Sequence, residues 1–432
     1  MSDRLNKANK AIYVDVSPNP NHIHTNGSSV RGHVSVDPSK RPQRVNIAFK
    51  GREKCIITQR HSNGSTIYKE KPVYFAYELE LFLSATRGES YDIVSYGIAE
   101  NNRVEFPFEF RFPDAMQIQQ KPPDKWPENA QFISKAGQLP PSCHFFHRHS
   151  SDVQIVEYYL EARLYTDARN RPALEVRQPV IFRPQYLRTP ALFSSIQMHK
   201  YQTPRAICIR THKIHPKYDP NEGFKDRMKH RLTKNKEKTP YTTFQLKAEC
   251  PSIVTLGNPV HLTLSLAHLE RSEDLPAPPP IFLRRIVIRV ESRMLVRIPI
   301  ISFFQGPELN DAHSDKTDLL NIEFNEGNGL LLYDGLSVKT KKWPVQLSPP
   351  FKSYGLNLEQ TMNVKIWGEC GGDKFERRLV HGKLLDVLVQ GVDSGEEPGV
   401  TREEIMGEDV SMLPPSVDND VAPPPYQVLR KS

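Results

Sequence analysis

A chain of 432 residues is too long for one hydrophobic core, so two are expected; its 38% apolar and 25% charged content is ordinary for a globular protein. The 37 Pro against 22 Gly argue against long helices. There is no apolar run of about eighteen residues and no apolar stretch near the first residues, so neither a membrane-spanning helix nor a signal peptide is expected and the chain is read as cytoplasmic.

Apolar residues recur with period two wherever a pattern is visible, which predicts half-buried strands. Val30, Val34 and Val36 alternate with Arg31, His33 and Ser35; Val45, Ile47 and Phe49 follow the same rule, as do Tyr77, Leu79, Leu81 and Leu83. In Glu105 to Pro113, Phe106, Phe108, Phe110 and Phe112 project from one face while Pro107, Glu109 and Arg111 take the other. A helix would scatter those rings around its axis. Val156, Tyr158, Leu160, Ala162 and Leu164 make a further stripe.

The cysteines Cys55, Cys143, Cys208, Cys250 and Cys370 stand singly, with no CxxC pair. Cys143, His144, His147 and His149 spell CHxxHxH, which fits no closed tetrahedral set and reads as a solvated or partner-facing loop, so no metal is assigned. From Met198 to Pro240 there are 12 Lys or Arg against 4 Asp or Glu. With little apolar alternation, this block reads as an exposed linker suited to anionic lipid headgroups. It carries no nucleic-acid reading motif, so no nucleic-acid partner is assigned.

Beyond it the alternation resumes at Phe244 to Cys250, Val260 to Leu266, Ile286 to Val290 and Met362 to Ile366, and Leu384 to Val389 reads as a closing strand. Pro276 to Pro280 and Gln305 to Gly329 read as loops. Short strands between Pro, Gly, Asn and Ser clusters, with no helical crossovers, predict two antiparallel β-sandwiches. The expected layout is 1–190 as the first sandwich, 191–240 as a basic linker or loop, 241–390 as the second sandwich and 391–432 as a disordered tail.

That tail carries 3 basic and 9 acidic residues and no periodicity, too little apolar surface to offset ordering. Within it Pro423, Pro424, Pro425 and Tyr426 spell PPxY. A proline run is already in the polyproline II conformation, so docking it and the following Tyr into an aromatic groove costs little entropy. WW domains bind in this way, through Pro423, Pro424 and Tyr426. Tyr426 to Leu429 also fits YxxΦ, the strand-like signal read by clathrin adaptors.

The segments TNGSSVRGHVSV (Thr25 to Val36), NIAFKGREK (Asn46 to Lys54), EFPFEFRFP (Glu105 to Pro113), LPPSC (Leu139 to Cys143) and VEYYLEARL (Val156 to Leu164) stand in an order that resembles the fungal alpha-arrestins, or arrestin-related trafficking adaptors. CPSIVTLGNPVHLTLSL (Cys250 to Leu266), SYGLNLEQTMNVKIW (Ser353 to Trp367) and the PPPY tail extend the resemblance over about nine tenths of the chain. The resemblance implies two arrestin-like sandwiches, no catalysis and no cofactor. It also implies a PPxY that recruits a WW-domain HECT ubiquitin ligase to membrane transporters or receptors at the plasma membrane or endosomes, promoting their ubiquitination and endocytosis.

Many members carry two or more PPxY motifs. This chain has one, with an incomplete Leu413-Pro414-Pro415-Ser416, and a single site forgoes the gain of linked modules. The alternative is a sorting-coat component or signalling scaffold of the same fold with an incidental PPxY. An enzyme is not expected. The chain has no GxSxG, HExxH, P-loop or strand-borne GxGxxG, and pairs such as Glu396 with Glu397 and Glu403 with Glu404 lie in the tail.

Overall fold

Period-two alternation is realised as sheet almost everywhere. The computed structural model describes residues 11–83, 103–117, 126, 128–133, 137–146, 152–166, 171–184, 198–202, 205–218, 239–251, 253–255, 257–299, 308–324, 329–342, 347–383 and 386–388, which form an all-β protein of mainly antiparallel sheets. The tail 391–432 lies outside the described residues.

The first region contains β1 (Ile12–Ser17), β2 (Ile23–His24), β3 (Ser29–Val36), β4 (Arg44–His61), β5 (Gly64–Glu70), β6 (Val73–Leu83), β7 (Val104–Arg111), β8 (Cys143–Phe146), β9 (Val153–Tyr165) and β10 (Leu174–Phe182). One sheet runs β1-β3-β7; the other runs β2-β10-β9-β4-β5, with β6 also on β4 and β8 also on β9. Phe106, Phe108, Phe110 and Phe112 are all buried between them, as their shared face predicts. Phe112 packs on Phe49, Tyr158 and Phe182 with ring centroids 4.9, 5.4 and 4.6 Å apart. Gly51 lets this cluster close, because a Cβ there would lie 2.7 Å from both Phe75 and Tyr158.

The second region contains β11 (Met198–Gln202), β12 (Ile207–Arg210), β13 (Tyr241–Pro251), β14 (Ile253–Thr255), β15 (Pro259–Arg271), β16 (Ile281–Pro299) and β17 (Glu308–Glu323). It continues with β18 (Leu330–Leu331), β19 (Leu336–Lys342), β20 (Phe351–Lys352), β21 (Leu356–Cys370), β22 (Asp373–Lys383) and β23 (Asp386–Leu388). One sheet runs β11-β13-β15-β19 with β12 also on β13, and the other runs β17-β16-β21-β20 with β18 on β16 and β22 on β21. The closing strand expected at 384–389 is β23, which pairs in parallel with β14.

Two expectations are corrected here. The segment 191–240 is not simply a linker. Its β11 and β12 pair with β13, and Ile207, Ile209 and Ile214 are buried in the second core. Ile207 and Ile209 alternate with Cys208 and Arg210, a strand signal that the segment's net charge masks. The span 305–329 is likewise not a loop, because β17 occupies Glu308–Glu323. Among the described residues β17 pairs with β16 alone and is an edge strand, so its outward side tolerates the polar residues that hid it. Arg285 with Glu323 (3.3 Å), Lys316 with Glu291 (3.6 Å) and Arg289 with Asp318 tie it across.

β16 and β21 also join the two regions. On one face of β16, Ile286, Ile288 and Val290 enter the second core, whereas Met294, Val296 and Ile298 enter the first. β21 repeats the division, with Met362, Val364 and Ile366 in the second and Leu356 and Leu358 in the first. At the crossing, buried Ser292 faces buried Gln360, whose amide donates to Ser292 Oγ (3.3 Å) and to the Ser348 carbonyl (3.1 Å). One polar row thus divides a continuous apolar face into two cores.

Candidate functional site

Pro423, Pro424 and Tyr426, the residues expected to bind a WW domain, lie outside the described residues. What the described residues build instead is a polar seam between the two regions. Glu53 occupies an inward position of β4, between Gly51 and Cys55, and its side chain has no solvent exposure. The Tyr74 hydroxyl donates to its Oε2 (2.7 Å) and the Gly355 N–H to its Oε1 (2.7 Å), so one carboxylate holds both halves of the chain. Burial raises the Glu53 pKa against the opposing hydrogen bonds of Ser353, Tyr74 and Gly355. Gly355 is required by close approach, since a Cβ there would fall 2.5 Å from Cys55 Sγ and 3.0 Å from the Arg297 carbonyl.

Arg297 of β16, also without solvent exposure, lies on the other side of the seam. Its guanidinium donates to the carbonyls of Tyr354 (2.6 Å) and Ile133 (3.1 Å), approaches Glu308 at 3.4 Å and lies under the rings of Phe132 and Trp126. Residues 128–133 are strapped down further, because Asn129 donates to Glu308 (3.2 Å), Lys352 to the Ala130 carbonyl (2.8 Å) and the Ile133 N–H to the Ser353 carbonyl (3.0 Å). A buried carboxylate and a buried guanidinium with filled hydrogen-bond positions fix geometry; each left without partners would be costly.

Neither family models nor curated proteins match this chain.

The cysteine–histidine segment is taken apart by its own strand. In β8, Cys143 and Phe145 face inward and are buried, while His144 and Phe146 face outward and are exposed, so Cys143 and His144 point to opposite sides of the sheet; His147 and His149 lie outside the described residues. Among the described residues no group of three His, Cys, Asp or Glu is placed to hold a metal ion. Burial pushes the Cys143 and Cys370 thiols up to about 11 and the Cys250 thiol up to about 12, away from the range of a reactive thiolate. Among the described residues no helix is long and apolar enough to cross a membrane.

The seam is what sequence reading missed. Glu53 left a signal, a charge at a position where period two demands an apolar side chain. Arg297 left none, because it takes the outward parity of β16 between Val296 and Ile298, and the groups around it, Trp126, Phe132, Glu308 and the Ile133 and Tyr354 carbonyls, come from other parts of the chain.

Proposed function

We propose that this protein is a non-catalytic adaptor. Its tail recruits a WW-domain HECT ubiquitin ligase through Pro423, Pro424 and Tyr426, and its sandwiches engage membrane transporters or receptors, promoting their ubiquitination, endocytosis and sorting. The observation that carries the reading is the PPPY peptide in an acidic, aperiodic tail that follows two strand-rich regions in the order resembling the alpha-arrestins. In a WW complex the prolines fill an aromatic groove and the Tyr ring a neighbouring pocket. The all-β architecture with its pinned seam supports the reading, because an adaptor needs two binding surfaces held in a fixed relation and no reactive centre. The place of work is the cytoplasmic side of the plasma membrane or endosomes.

Affinity purification of wild-type and Tyr426→Ala protein tests this. The wild type should retain ligase and be ubiquitinated itself, and the variant should lose both while keeping its other partners. Constant partners and unchanged ubiquitination in the variant would instead make the protein a coat or scaffold component.

A further inference from the structure

The outward face of the β10-β9-β4 sheet is unevenly charged, and the unevenness marks a surface. Along most of it cations meet carboxylates. Lys50 and Arg177 contact Glu161 at 2.5 and 2.8 Å, Arg163 contacts the same carboxylate, and Arg52 contacts Glu157 at 2.5 Å. At the end built by β8, β9, β4 and β5 this compensation stops. Strand parity puts Lys54 and Lys69 on that face, exposed Lys71 follows in the link from β5 to β6, and none of the three has a carboxylate partner among the described residues. The acids nearest in register are engaged, Asp152 by the Thr58 backbone and hydroxyl (3.1 and 2.6 Å) and Glu157 by Arg52.

The same end of the sheet carries apolar side chains in solvent. Phe146 is 63% exposed, Ile67 53% and Val73 38%. The register places Phe146 beside Val153 of β9, Ile67 beside Thr58 of β4 and Val73 beside Arg52, so all three share the face with the lysines. The β4–β5 ribbon runs on from Cys55–Glu70 to His61–Gly64, past the last β4–β9 pair at Lys54–Ile155, so its tip, with Ile67 beside Thr58, extends beyond that pairing. The inner side of the ribbon is taken: Cys55 and Ile57 lie in the first core and Tyr68 packs against it.

We infer that this end of the sheet docks on an anionic lipid surface, with Phe146, Ile67 and Val73 entering the interface and Lys54, Lys69 and Lys71 reaching the headgroups. Exposed apolar side chains on the same end of a sheet as long cationic ones match the two layers of a bilayer interface, because lysine stems lie along apolar surface while the ammonium groups stay in the headgroup layer. The surface is distinct from the basic block 198–240 and does not depend on the ligase reading, since it uses no residue of the tail.

The test is co-sedimentation of the full chain with phosphatidylcholine vesicles, with and without phosphatidylserine. The wild type should bind only the mixed vesicles. Changing Lys54, Lys69 and Lys71 together to Gln should lower binding about tenfold or more, each lysine acting through the surface potential. Phe146→Ser with Ile67→Ser should leave a weaker association that added salt abolishes, because only screened charge then remains. Lys69, Lys71, Ile67 and Phe146 are exposed and Lys54 is half-buried, so thermal melts close to wild type should separate lost docking from lost folding. Two results overturn the inference. One is vesicle binding unchanged in both variants, which would move any lipid contact elsewhere, for example to Lys229, Arg231, Lys234, Lys236 and Lys238. The other is unchanged vesicle binding with lost binding of a synthetic 391–432 peptide, which would make the face a dock for acidic peptide.

Discussion

The first core packs Phe49, Phe75, Phe112, Tyr158 and Phe182 ring against ring, whereas the second is aliphatic around Ile286, Ile288, Val290, Val364 and Ile366, with Phe244 against Phe375. Large rings bury more area per residue and interlock through edge and offset contacts, so a hole in the first core is hard to close. Branched aliphatics lose less when trimmed. The difference teaches where each half is vulnerable, and the seam between them is a third case, in which hydrogen bonding rather than area sets the cost.

The largest effect expected is at Phe112. Phe112→Ala should destabilise the protein by about 3 to 5 kcal/mol, and Phe108→Ala by a similar amount; Ile288→Ala, the matching truncation in the second core, should cost less, towards the lower end of about 2 to 5 kcal/mol. Denaturant melts of the three variants read this directly, and equal losses in both cores would break the comparison.

At the seam, Glu53→Ala leaves the Tyr74 hydroxyl and the Gly355 N–H without their acceptor and removes a buried group, with an expected cost of about 3 kcal/mol. Glu53→Gln keeps an acceptor and should cost less. The two also differ with pH. Because the folded pKa of Glu53 is raised, the folded state holds its proton more tightly than the unfolded state, so the wild type loses stability as pH rises from the ordinary carboxyl value through the folded one. Glu53→Gln should flatten that decline, and an unaltered slope would remove Glu53 from the account.

His24 gives the opposite slope in the first region. It is buried against Phe112, and burial, followed by the neighbouring His22, lowers its pKa to about 4. The unfolded chain therefore binds the proton first, and acidification from pH 6.5 towards 4 should remove up to about 3 kcal/mol. His24→Leu should abolish this loss in melts across that window; a persistent slope would place it on other groups.

Sequence alone reached further in some strands than in others, and chemistry explains the difference. β7 was legible because Phe106, Phe108 and Phe110 leave no other face to choose. β17 was not, since an edge strand with charges such as Asp315, Lys316 and Asp318 carries no apolar alternation, and its ion pairs to β16 appear only once the sheet exists. β12 hid inside a basic segment whose charge count outweighed Ile207 and Ile209. The seam was out of reach because Gly355 and Glu53 are 302 residues apart, and nothing local says that two cores share a strand face. The proposed partner motif was the reverse case, read from Pro423, Pro424 and Tyr426 by residue type and spacing alone.

The adaptor reading is tested most directly by titrating a peptide of residues 421–430 into isolated WW domains, beside its Tyr426→Ala and Pro425→Ala forms. The account predicts saturable binding that Tyr426→Ala abolishes and Pro425→Ala leaves nearly intact, with no change in the melting temperature of full-length Tyr426→Ala protein. Binding that survives the loss of Tyr426, or no binding by the native peptide, would contradict it.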